Sequence, residues 1–207
     1  MNLPTVKECE QLFRQYHVPT NIEAHCKAVS TFAKSLAQRL KARNININVE
    51  LVQIGALLHD LMKAVTLDSL QGSKKFPYTP NEQEIAMWKH LRETYPHLHE
   101  TRITYDILAP KYPELAQFIK DEGEISHPAP DTKPTATVWE VKVVHYADWR
   151  FIGTTFVPLK VRMDDLFQRY ANKRKIGGIH NWGAQVAHQQ NAEKEMCDAL
   201  QCKPEDL

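Results

Sequence analysis

The sequence lacks paired cysteines and any long apolar run, and each absence excludes a class of protein. The four cysteines of this 207-residue chain include no C-x-x-C pair. A disulfide framework is therefore not indicated, and reduced thiols in a cytoplasmic protein fit better. No stretch approaches the roughly 18 apolar residues of a membrane span, and charged residues near the start interrupt any signal-peptide pattern. We therefore expect neither a membrane protein nor a secreted one.

The chain also lacks a net charge of either sign. Lys and Arg number 26 and Asp and Glu 25, which excludes the overall basic field of a nonspecific nucleic-acid binder. No extended nucleic-acid surface is predicted, and a small-molecule substrate is favoured. Apolar residues make up 43% of the chain, as is usual for a globular protein, and no break in composition divides it. We predict one domain over 1–207. Ten histidines direct attention to metal or acid–base chemistry.

Apolar residues recur at helical spacing along most of the chain, which predicts an all-α protein. Thr20 with Glu23, and Thr79 with Glu82, have the spacing of capping boxes, and Asn48 is a plausible N-cap. Glycine and proline mark 68–80 and 124–135 as loops. The predicted helices cover residues 20–43, 48–64, 79–95, 98–109, 113–121, 136–151, 158–171 and 184–200.

The segment "IGALLHDLMKAV" is an apolar helix that carries an imidazole and a carboxylate side by side, His59 and Asp60. Neighbouring residues of a helix diverge by about 100°, so both reach one ion only if other helices supply further ligands. His25 and Asp148 are the candidates, because Asp148 follows several apolar residues and a buried carboxylate is costly without a cation. Two imidazoles and two carboxylates suit Mn, Fe, Co, Ni, Zn or Mg rather than Ca.

The order His25, His59-Asp60, Asp148, within "GALLHDLMK" and "KVVHYADWR", resembles the HD-domain metal-dependent phosphohydrolases over residues 18–170. The resemblance implies an HD-domain-like helical bundle, with an N-terminal helix and a C-terminal helical extension outside it. It implies one divalent ion bound by these four residues. It also implies hydrolysis of a phosphate ester, for which a nucleotide is the expected substrate.

The resemblance assigns further roles near the metal. Asp60 would orient or deprotonate the attacking water as well as bind the ion, and is a predicted catalytic residue with Lys63. Lys63 matches the lysine of the pattern H-D-x-x-K and would bind a phosphate oxygen, although a lysine there can also be a solvated residue at a helix end. His99, in "HLHETRITYDIL", is the second predicted substrate-binding residue, and His90 and His97 are weaker candidates.

A second metal, which some relatives bind through two more histidines, is put in doubt by this sequence. Asp121, Glu122 and Glu124 stand where a histidine pair would be expected. A carboxylate there could replace an imidazole on a hard ion, but we interpret these residues as solvated charges at a helix end. Two other functions stay open. One is a sensor module that binds a nucleotide without turnover, and the other is a di-iron oxygenase, which needs about two more imidazoles than can be placed at the site from the sequence. The oligomeric state is not predicted.

Overall fold

A computed structural model describes residues 1–67, 70, 78–126, 139–171 and 182–207. These parts form ten α-helices and one short antiparallel hairpin, which confirms the prediction of an all-α fold. The helices are α1 (Val6–Gln15), α2 (Thr20–Ala42), α3 (Val49–Leu58), α4 (Lys63–Thr66), α5 (Glu82–Thr94), α6 (Glu100–Leu108), α7 (Pro113–Ser126), α8 (Trp139–Asp148), α9 (Leu159–Ala171) and α10 (Trp182–Leu200). The strands are β1 (Phe151–Ile152) and β2 (Thr155–Phe156), and a 3-10 turn covers Pro204–Asp206.

The core lies between α2, α3 and α8. Helix α2 packs along α3, and both contact α8, while α7 contacts α6, α3 and α8. Two glycines allow α7 to approach its neighbours: a Cβ on Gly55 would lie 2.1 Å from the Phe118 ring, and one on Gly123 would lie 2.4 Å from Thr101 Oγ1. Among the described helices, none has the length and hydrophobicity that a bilayer span requires.

Most predicted helices are present, but several of their ends differ. The predicted helix 48–64 begins after the N-cap Asn48 as expected, yet α3 ends at Leu58. The N–H of Leu61 donates to Leu58 O and that of Lys63 donates to Asp60 O. These i to i+3 bonds form tight turns, and they separate α3 from the short α4.

Both predicted capping boxes are wrong. Thr20 is the first residue inside α2, after Pro19, and no side chain caps that helix. Helix α5 begins two residues later than the second box predicted, because Asn81 caps the backbone N–H of Glu84 while the Glu84 carboxylate accepts from the N–H of Asn81. A Thr-x-x-Glu spacing recurs by chance among polar residues, so the spacing alone does not identify the N-cap.

The remaining helices mostly lie within two residues of their predicted ends. The exceptions are α7, which continues to Ser126, and α8, which ends at Asp148 because the chain turns into the hairpin. The predicted loop 124–135 therefore overlaps the last turn of α7, and its residues 127–135 lie outside the described parts. The same holds for most of the predicted loop 68–80 and for the first residues of the predicted helix 136–151.

Candidate metal centre

The four predicted metal ligands lie close to one another although they come from three regions of the chain. His25 is in the second turn of α2, and His59 ends α3 as its C-cap. Asp60 follows in the turn before α4, and Asp148 is the last residue of α8. The packing of α2, α3 and α8 in the core therefore gathers these side chains at one end of the bundle.

The distances define a compact cluster of three side chains with a fourth beside it. His25 Nε2 lies 2.9 Å from Asp148 Oδ1, and His59 Nε2 lies 3.7 Å from the same oxygen. The ligand atoms of His25, His59 and Asp148 all lie within 4.8 Å of one another. Asp60 is outside this set of three, with its Oδ2 3.7 Å from His59 Nε2.

Both histidines are oriented by a backbone carbonyl. His59 Nδ1 lies 2.7 Å from the carbonyl oxygen of Ala56, and His25 Nδ1 lies 2.7 Å from that of Gly153. A carbonyl only accepts hydrogen bonds, so each Nδ1 carries the proton and each Nε2 is directed at the cluster. Histidines that bind metals commonly have their second nitrogen fixed in this way.

The Nε2 atom of His59 is the strongest sign that the cluster fits a cation. It is buried, and it has no hydrogen-bond partner in the described structure. The nearest carboxylate oxygens among the described residues belong to Asp60 and Asp148, both at 3.7 Å, which is too far for a hydrogen bond. A buried imidazole nitrogen beside two carboxylates requires positive charge, which either a proton on Nε2 or a bound cation supplies. The donor set, two imidazole nitrogens and carboxylate oxygens, suits a divalent transition metal.

The electrostatics of the cluster agree with this fit. Burial disfavours the charged form of His59, but the carboxylate of Asp60, the neighbouring Cys26 and the contact with Asp148 outweigh it and raise its pKa well above the usual value. Burial likewise disfavours ionised Asp148, yet hydrogen bonding to His25, the contact with His59 and the charge of Arg162 hold its pKa well below the usual range. Asp148 is therefore ionised, and the cluster attracts positive charge.

Lys63 lies beside the cluster, but it also pairs with a buried carboxylate that the sequence did not single out. Its ammonium contacts Glu100 and lies 3.8 Å from Asp60 Oδ1. Glu100 is 4% exposed and also accepts a hydrogen bond from Thr66 Oγ1 at 2.8 Å. Burial would raise the pKa of Glu100, but Lys63 and His99 lower it to about 2. The interpretation of Lys63 as a merely solvated lysine is wrong.

His99 is the N-cap of α6, where Nδ1 accepts a hydrogen bond from the backbone N–H of Thr101. Its Nε2 therefore carries the proton and lies 3.3 Å from Glu100 Oε2. Burial lowers the pKa of His99, so the side chain is neutral at pH 7. The weaker candidates His90 and His97 are exposed and do not line the cleft that contains the cluster.

The cluster opens into a cleft of about 520 Å³. One wall contains Asp60, Lys63, His99 and Glu100, and another contains Arg162, Leu166 and Arg169 of α9 with Trp182 of α10. The two arginines were missed in the sequence, where "PLKVRMDDLFQRYA" was interpreted only as a helix. Their spacing of seven residues, which places them on one face of a helix, was the available signal.

The interpretation of the acidic segment as solvated charges is wrong for Glu122. It is 7% exposed, lines the cleft and lies 2.8 Å from His145 Nδ1, and His145 is 2% exposed. Asp121 and Glu124 are half-buried and contact Gln117 and Lys120 of the same helix. Glu122 is therefore one half of a buried pair.

Comparisons with known proteins agree with the geometry. The family model of the HD domain matches residues 22–111, which contain His25, His59, Asp60, Lys63 and His99. An uncharacterized protein of Methanocaldococcus jannaschii is 44% identical over 164 residues, which cover 77% of this chain and 80% of that protein. No solved structure matches the chain. The chain belongs to the HD-domain superfamily, whose members are generally metal-dependent hydrolases and typically bind divalent metals.

Proposed function

We propose that this protein is a divalent-metal-dependent phosphohydrolase that acts on a phosphate ester, with a nucleotide as the substrate class. The observation that carries the proposal is the buried, unpartnered Nε2 of His59, directed at the carboxylates of Asp60 and Asp148 within the described structure. His25, His59 and Asp148 would bind the ion, and Asp60 would complete the set. Membership of the superfamily supports the same reaction class.

The ion and the protein contribute different parts of the chemistry. A divalent ion polarises a phosphoryl oxygen and favours the ionisation of water near neutral pH. The carbonyls of Ala56 and Gly153 orient the two imidazoles. Asp60, in the turn after α3, would accept a proton from the attacking water because its carboxylate is only half-buried and lies at the edge of the cluster.

Two groups on the wall beside Asp60 would bind the phosphate. The Lys63 ammonium is positioned by Glu100 within 3.8 Å of Asp60 Oδ1, so a phosphate at the centre would meet a fixed positive charge. His99 would add a neutral N–H donor by turning its Nε2–H, now 3.3 Å from Glu100 Oε2, towards the phosphate. Together they would offset the charge that develops on the phosphate oxygens during hydrolysis.

Asp148→Asn tests the proposal, because asparagine keeps one ligating oxygen and removes one negative charge. Phosphate release should be measured with added Mn, Co, Ni or Mg against nucleoside mono-, di- and triphosphates, cyclic dinucleotides and dinucleoside polyphosphates. We expect the wild type to release phosphate from one class, and Asp148→Asn to lose most of that turnover while it still binds the nucleotide in calorimetry.

The matched control is Asp164→Asn on α9, whose carboxylate is 60% exposed and pairs with Lys160. This variant should keep wild-type turnover. If the wild type releases no phosphate with any metal and any nucleotide class, yet binds one of them tightly, hydrolysis is contradicted and the sensor function is favoured.

A further inference from the structure

Helix α9 presents two arginines to the cleft from the side of Asp148. Arg162 and Arg169 both contact the carboxylate of Asp165: Arg162 Nη1 lies 3.1 Å from Oδ2, and Arg169 donates from Nε to Oδ1 at 2.9 Å and from Nη2 to Oδ2 at 2.6 Å. Asp165 does not itself line the cleft. One carboxylate thus fixes two guanidinium groups, and the cluster of three keeps one positive charge in excess.

Arg162 has unused hydrogen-bonding capacity. It is 9% exposed, and its Nε has no hydrogen-bond partner among the described residues. A buried donor without a partner is costly, and an arginine in a cleft usually meets a carboxylate or a phosphate there. Arg162 therefore has the properties of a group that is completed by an anionic ligand.

The two walls differ in their charge balance. Lys63 is compensated by the buried carboxylate of Glu100, whereas Arg162 and Arg169 share Asp165. Arg162 and Arg169 therefore bring one more positive charge to the cleft than Asp165 offsets, and the charge of Arg162 also acts on Asp148 of the proposed metal cluster. The cleft, at about 520 Å³, is also in the range of pockets that bind whole small molecules and is larger than one phosphate group requires.

We propose that Arg162 and Arg169 form a second anion subsite, which binds a phosphate group of the substrate other than the one that is hydrolysed. The substrate class is then a nucleotide with at least two linked phosphates rather than a monophosphate. This inference rests on the proposed function for the identity of the centre, but the binding step does not depend on turnover. Guanidinium groups pre-positioned by a carboxylate suit a phosphate, because each can donate two parallel hydrogen bonds.

Binding measured without turnover tests the subsite. The dissociation constants of adenosine monophosphate and the methylene analogue of adenosine diphosphate, and of phosphate and methylenediphosphonate without a nucleoside, should be determined by calorimetry on the metal-loaded protein with no free metal. The methylene bridge resists hydrolysis, and we expect the wild type to bind the two compounds with paired phosphates about tenfold or more tightly than the compounds with one phosphate. Arg169→Gln should remove most of this difference and change the binding of the monophosphate less than twofold.

Two further variants complete the test. Lys160→Gln removes a positive charge from the same helix at an exposed position, where Lys160 pairs with Asp164, and should leave all four constants unchanged. Arg169→Lys keeps the positive charge but not the paired N–H donors. Its preference for compounds with two phosphates should lie between that of Arg169→Gln and that of the wild type. Circular dichroism and thermal unfolding show whether Arg169→Gln folds. If it does not, Arg169→Lys is compared with the wild type in its place.

Three outcomes would overturn the subsite. If Arg169→Gln lost the same affinity for the compounds with one phosphate as for those with two, the arginines would bind the phosphate at the centre. No change in any constant would mean that they only form a structural ion pair with Asp165, and no binding of any of the four compounds would remove the subsite altogether. Failure of the wild type to release phosphate would contradict the proposed hydrolysis but not a subsite shown by these constants.

Discussion

The two histidines of the candidate metal centre are oriented by the same kind of bond but at different distances along the chain. His59 donates to the carbonyl of Ala56, three residues earlier in α3, and His25 donates to that of Gly153, 128 residues later. The first bond lies within α3 and its C-cap, so it can form as soon as that helix forms. The second exists only when α2, α8 and the hairpin are assembled, so one half of the centre is local and the other is tertiary.

The tertiary half depends on an ordered turn. Gly153 has φ +60 in the turn between β1 and β2, and this backbone conformation favours glycine. Arg150, before the hairpin, donates from Nε to the carbonyl of Val157 at 2.9 Å, and its guanidinium lies 4.3 Å from the centre of the Phe156 ring. These contacts close the hairpin and fix the carbonyl that orients His25.

Replacing a ligand on the local side should have the largest effect. His59→Ala and Asp60→Ala should each abolish stoichiometric binding of a divalent ion, because the remaining ligands cannot enclose it. Elemental analysis of the purified variants measures this directly. His90→Ala in α5, which removes an exposed histidine, is the control and should retain the metal. An unchanged metal content in both ligand variants would mean that the ion binds elsewhere.

Lys63, which also follows the local turn, should have the next largest effect. Lys63→Ala should raise the activation free energy of phosphate-ester hydrolysis by roughly 1.5–3 kcal/mol, the range for a charge-assisted hydrogen bond. The structure adds that this variant leaves Glu100 buried without its cation, so we also expect lower stability. The double variant Lys63→Ala, Glu100→Gln should recover stability in thermal unfolding but not turnover. A loss of activity below about twofold in Lys63→Ala would rule out contact with phosphate.

The smallest effect is expected on the tertiary side. Gly153→Ala adds a Cβ that meets no atom within 4 Å, but the positive φ makes the turn unfavourable by about 1 kcal/mol. We expect divalent-metal affinity to fall a few-fold, because His25 is oriented less often. Gly183→Ala is the matched control, since Gly183 is helical, has open space around it and has no positive φ. Equal metal affinities for the two variants would show that the hairpin does not orient His25.

The division between local and tertiary contacts also explains what could be predicted from the sequence. Helical periodicity predicted the elements, and the order of His25, His59, Asp60 and Asp148 predicted which side chains the fold brings together. The carbonyl of Gly153 and the burial of Glu100 and Glu122 depend on partners far along the chain, for which one sequence contains no signal. The end of α3 at Leu58 was missed because apolar spacing continues through Leu61 and does not report a tight turn.

The contact between His25 and Asp148 joins residues 123 positions apart. An ion bound by both would act on the chain as a reversible cross-link, because the native state already holds the two ligands together whereas the unfolded chain would have to close a long loop to do so. Such an ion binds only the native state, so its binding free energy adds to the free energy of unfolding, by about 2.7 kcal/mol when its free concentration is a hundred times its dissociation constant. The supply of the metal would then determine how long the protein persists as well as its activity.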